Sequence, residues 1–195
     1  IEELLFTAAN LATNINEKAA IYAVAANNYP SDYRGHNNLG AVKFIQNMMP
    51  DAKKSLETAN NISDNGMTKN NLAGVAMANG DRALAKKLLA QVKDKSTQLA
   101  YNNAVISILE GKYSAAVSSF GAEASFNKAL AQVLQGNLDD ASKTLAASSD
   151  KESADGYYLK AIIAARSNAG VDAVVSSLKL AFAKNSDYKS KAGRD

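Results

Sequence analysis

Asn37-Asn38 stands before an apolar residue, Leu39, and the chain writes nearly the same thing twice more, as Asn70-Asn71-Leu72 and Asn102-Asn103-Ala104. The pairs begin at 37, 70 and 102, so the intervals are 33 and 32 residues. A period of this size constrains the fold more than any composition could. It is the length of one small supersecondary unit, which cannot bury its apolar face alone and must stack on its neighbours. Gly80, Gly111, Gly136 and Gly170 keep a similar rhythm, at intervals of 31, 25 and 34, each separating one apolar run from the next. The unit they mark is a helical hairpin, and one copy is shortened.

Composition enters by excluding strands. Hydrophobic residues make up 47% of the 195, with Ala dominant, Pro occurs only at Pro30 and Pro50, and no alternating run of β-branched residues appears. These are the marks of an all-α chain. Reading each copy as helix A, turn, helix B, the clearest copy places helix A at about residues 31–48, and helix B from Met49-Pro50-Asp51, where Pro suits a first helical turn. Ala52, Leu56 and Ala59 then share one helical face. Gly40 and Ala52 let the two backbones approach, with Leu39 and Leu56 filling the space around them.

Later copies set Leu72-Ala73 against Ala85 and Leu89, Ala104 against Ala116 and Phe120, and Ala129 against Ala141 and Leu145. Another combines Tyr158, Ala161, Val174, Leu178 and Ala181. A further helix pair, 2–12 and 16–29, precedes them all. The expectation is about twelve helices in five to six hairpins, one repeat domain over residues 1–195 and a piece of a longer protein, since the final DYKSKAGRD reads as the opening of another helix.

Catalytic chemistry finds no residues to work with. There is no Cys, the one histidine, His36, cannot make a metal site by itself, and no phosphate loop, nucleophile elbow or His-Glu-x-x-His helix occurs. The carboxylate pairs Glu2-Glu3 and Asp139-Asp140 point about 100° apart on a helix and read as helix-start charges. No enzyme activity, metal or cofactor is expected. A net charge of +3 with Lys interleaved among Asp and Glu lacks the footprint of a nucleic-acid binder. No apolar run reaches the roughly 20 residues of a membrane span. Asn65 before Gly66 and Asn79 before Gly80 read as helix ends.

Leu39-Gly40, Ala52, Ala59, the Gly111-Lys112-Tyr113 turn and the Asn-Leu-Gly signature resemble the tetratricopeptide repeat family across almost the whole chain. The closing GYYLKAIIAARSNAG and SLKLAFAKNSDYKSKAGRD are more loosely similar to repeat segments of Gram-negative envelope proteins that carry OmpA-like domains. The first resemblance implies an α-α superhelix that holds a protein or peptide segment in a groove lined by the A helices. The second implies a periplasmic or outer-membrane-associated setting, with a cytoplasmic one as the alternative, and admits a structural spacer or assembly arm with no groove ligand. In the family an Asn just before the Leu commonly holds a ligand backbone, because one amide can both donate and accept. The candidate partner-binding strip is therefore Arg34, Asn37, Asn38, Asn70, Asn71, Tyr101 and Asn102. A basic clamp for acidic tails would need more than Arg34.

Overall fold

A computed structural model gives the fold and describes residues 1–194. Among them are thirteen α-helices and no strand. Twelve follow one another as pairs: α1 (Glu2–Leu11) with α2 (Ile15–Asn28), α3 (Tyr33–Ile45) with α4 (Met49–Ile62), and α5 (Gly66–Ala78) with α6 (Arg82–Ala90). The later pairs are α7 (Thr97–Leu109) with α8 (Tyr113–Phe120), α9 (Phe126–Gln135) with α10 (Leu138–Ala147), and α11 (Ala154–Arg166) with α12 (Val171–Lys184). The thirteenth, α13 (Tyr188–Ala192), is the short helix that the closing charged run announces. The class is all-α, an α-α superhelix of helical hairpins.

Local chemistry sets the boundaries. Asp32 caps α3, its carboxylate accepting from the Arg34 N–H at 2.8 Å. Met48 precedes α4 and Pro50 sits in its first turn. Gly136 closes α9 in the left-handed region, at φ 92°, where a Cβ would be strained. Asn79 ends α5 as expected, but Asn65 does the opposite of what its position before Gly66 suggests. Its Oδ1 accepts from the N–H groups of Met67 and Thr68, and the Thr68 hydroxyl faces the Asn65 N–H, so Asn65 starts α5 with a reciprocal cap.

The chain gathers into two compact units, Ile1–Asn102 and Asn103–Asp195. In the first, Gly40 meets α4 as expected: a Cβ there would lie 2.6 Å from Leu56 Cγ and 3.1 Å from the Ala52 carbonyl oxygen. Leu39 goes elsewhere. It packs on Ala9, Ala19, Tyr22 and Val42, a cluster drawn from α1, α2 and α3, because a neighbour of Gly40 is turned 100° away from α4. Leu56 and Ala59 are fully buried, as are Ala73 and Ala85. Burying a leucine of this kind contributes about 1.5–3 kcal/mol.

In the second unit Ala129 and Val133 meet Ala141, Leu145, Leu159 and Ile163 in one core, flanked by Phe126, Leu138 and Ile162. Ala104, Ala116 and Phe120 are buried as the hairpin pattern requires, and so are Ala161 and Ala181. The carboxylate pairs occupy first turns, Glu2-Glu3 in α1 and Asp139-Asp140 in α10.

Candidate functional site

The helices α3, α5 and α7 each contain 13 residues and begin at Tyr33, Gly66 and Thr97, 33 and then 31 residues apart. Counting from those starts, the eighth position is Gly40, Ala73 and Ala104, all buried. The fifth position is Asn37, Asn70 and Tyr101, and the sixth is Asn38, Asn71 and Asn102. The third pair in structural register is thus Tyr101-Asn102. Asn103 falls one place late and is exposed.

Register explains why the asparagines recur. Asn71 Nδ2 donates to Asn37 Oδ1 at 3.0 Å, and Asn102 Nδ2 donates to Asn70 Oδ1 at 3.0 Å and to the Asn70 carbonyl at 3.1 Å. A sixth-position amide reaches back each time to the fifth-position amide of the preceding A helix. Asn37 Nδ2 also donates to Asn38 Oδ1 at 3.2 Å. The amides form a ladder that fixes α3, α5 and the first turns of α7 side by side. Asn37 and Asn70 are buried by it, 2% and 8% exposed, while Asn38, Asn71, Tyr101 and Asn102 stay half-buried.

Arg34 belongs to a different arrangement. Its guanidinium donates to Asp32 Oδ2 at 2.7 Å and to Glu3 Oε1 at 2.8 Å, and lies 4.5 Å over the Phe6 ring. It thereby clasps α1 to the start of α3 and is neutralised in place. Hydrogen bonds from Arg34 hold the Asp32 carboxyl down at about 2. The hydrogen bond with Asp32 pushes Glu2 upward, and Asp32 followed by Glu3 pushes Arg34 upward. His36 donates Nε2–H to the Pro30 carbonyl at 3.2 Å. Among the described residues no three or more His, Cys, Asp or Glu side chains gather as a metal site, and no helix is long and apolar enough to cross a membrane.

No family model matches the sequence, and no curated protein does. Solved structures do match. The structure of the Cut9–Hcn1 hetero-tetramer of the APC/C superposes with a TM-score of 0.73 over 88% of the chain, at 14% identity. PilW, described as a widely conserved type IV pilus biogenesis factor, superposes at 0.67 over 96% of the chain and 94% of its own length, at 16% identity. The fold is that of the tetratricopeptide repeat proteins. The chain spans 37% of the chain that it matches in the Cut9–Hcn1 structure.

In repeat terms, α3, α5 and α7 are A helices, and sequence reasoning found their amides because they recur in text. It missed the ties of the second unit, where no residue type recurs. Arg166 Nη1 donates to the Val133 carbonyl at 2.7 Å, and the Tyr188 hydroxyl donates to Asp155, both across 33 residues. The interval alone was the available signal.

Proposed function

We propose that the chain is a non-enzymatic interaction scaffold that holds a peptide or protein segment on the A-helix face of its first unit. One observation carries the reading. The ladder aligns α3, α5 and α7 yet leaves Asn38 Nδ2, Asn70 Nδ2, Asn71 Oδ1 and Asn102 Oδ1 with no partner among the described residues. The strip thus offers two donors and two acceptors, the groups that a peptide main chain can accept from and donate to. Arg34 and Tyr101 border the strip, and Asn37, both of whose amide atoms are engaged, acts by holding it rather than by touching the partner. Each neutral bond contributes about 0.5–1.5 kcal/mol, so affinity is spread over the strip.

The spacer or assembly-arm reading is favoured by a different fact: much of the amide capacity is already spent between the repeats. An affinity pull-down from the parent organism, with the chain as bait, separates the two. Asn38→Ala is the cleaner variant, because Asn38 bonds only its neighbour Asn37 on the same helix, whereas Asn71 and Asn102 tie one helix to the next. A captured partner whose affinity falls by about 0.5–1.5 kcal/mol in Asn38→Ala supports the scaffold; unchanged affinity favours the spacer. The periplasmic or outer-membrane setting is tested by fractionating the same organism, and recovery in the cytosol overturns it.

A further inference from the structure

Gly74 is the ninth residue of the 13-residue α5, away from both ends, with a half-buried position and helical backbone. Glycine is the residue least favoured in a helix interior after proline. Internal packing gives no reason for it, since a Cβ added at Gly74 meets nothing within 4 Å. Gly35, Gly40 and Gly156 are different: Gly35 and Gly156 are pressed against neighbouring backbone, and Gly40 against the Leu56 side chain. The space over Gly74 opens outward.

Its neighbours say what the space can receive. With Ala73 turned toward α6, Gly74 lies about 100° round the helix, between Asn70 at about 60° and Asn71 at about 160°. These amides stand one turn above it, with Asn70 Nδ2 and Asn71 Oδ1 unspent. Met67 shares the stripe seven residues earlier and is 57% exposed; on α3 the matching stripe carries Ala41 and Ile45, the latter 71% exposed. The bordering charges are already neutralised: Arg34 by Asp32 and Glu3, and Lys69 by Asp64 at 2.8 Å.

Resting on the scaffold reading above, we infer that an extended, uncharged and apolar peptide segment crosses α5 at Gly74. Its main chain lies on the bare Cα, within reach of the Asn70 and Asn71 amides. Its apolar side chains lie on Met67 and Ile45. A charged segment would find no unpaired counter-charge on this face. A side chain at position 74 would hold the main chain away from the amides.

The test is selection of a random dodecapeptide phage library on the wild-type protein, followed by affinity measurement of the enriched synthetic peptides. The peptides should be apolar and uncharged. They should weaken about threefold or more on Asn38→Ala and about tenfold or more on Gly74→Leu, but remain unchanged on Ala83→Leu, a control on exposed α6 surface. Gly74→Ala keeps the result independent of misfolding: it should raise the melting temperature by roughly 2–4 °C while still weakening the peptides. Peptides sensitive to Asn38→Ala but indifferent to Gly74→Leu overturn the crossing at Gly74 and leave the scaffold standing. No enrichment, or peptides indifferent to both, overturns the scaffold reading and this inference with it.

Discussion

The two units solve one problem with different chemistry. Each must tie a hairpin to the next at an interval near 33 residues, because apolar faces made largely of alanine and leucine specify contact but not register. The first unit uses neutral amides, Asn71 to Asn37 and Asn102 to Asn70. The second uses an arginine on a helix-end carbonyl and a buried phenol on a carboxylate. Amide ladders are indifferent to pH and need two compatible residues in every copy. Ionisable ties are stronger per bond and need no repeated residue type.

The largest effect should come from the closest backbone approach. A Cβ on Gly156 would collide with the Asp150 carbonyl, which is also fixed as acceptor for Ser153 Oγ at 2.7 Å. Gly156→Ala should therefore cost about 3 kcal/mol or more, seen in a denaturant midpoint. In the first unit Gly40 faces mainly the flexible end of Leu56. Gly40→Leu should cost about 1–3 kcal/mol. Equal costs in the two variants would mean that both glycines face equally yielding surroundings.

Next come the ties themselves. Asn37→Ala removes a buried acceptor and strands the Asn71 amide, which should cost about 1–2 kcal/mol and raise hydrogen exchange in α3 and α5. Tyr188→Phe keeps the ring against Tyr158, whose centroid is 5.0 Å away, and removes only the hydroxyl. Its cost should be near 1 kcal/mol, because Asp155 is exposed and water can replace the lost donor. If Asn37→Ala were silent in exchange, the ladder would be ornament rather than register.

The hairpins were readable in the sequence because helix period and turn glycines are local signals, and Gly40 against Ala52 followed from them. Other features were not readable, for geometric reasons. Leu39 differs from its sequence expectation because one residue of helix shifts a side chain by 100°, enough to turn it from α4 to the cluster of α1 and α2. Asn65 reads as a helix end in the sequence because a following Gly suits either terminus; only the reach of its Oδ1 to Met67 and Thr68 decides. The candidate strip falls on α3, α5 and α7, but sequence could not say that Asn37 and Asn70 are buried. That depends on how adjacent A helices face one another.

The smallest expected effects are those of pH, and they separate the units most cleanly. Burial first, and then its bond to Asp155, push the Tyr188 phenol up from its ordinary range near 10. A group raised in this way stabilises the fold fully below its unfolded value and loses that contribution as pH rises through its folded one. Alkaline solution above about pH 10 should therefore loosen α13 and the start of α11. In the first unit the sign is reversed. Asp32, held at about 2 by Arg34, contributes stability above its ordinary 3.8 and loses it as pH falls from there toward 2. Acid should thus free α1 from α3 while leaving the Asn37–Asn71 bond intact, since neither amide titrates. Hydrogen exchange at pH 3, compared with pH 7 after correction for intrinsic rates, should show α1 opening ahead of α5. If α5 opened with α1 or before it, the Arg34 clasp and the amide ladder would be one cooperative structure rather than two separable ones.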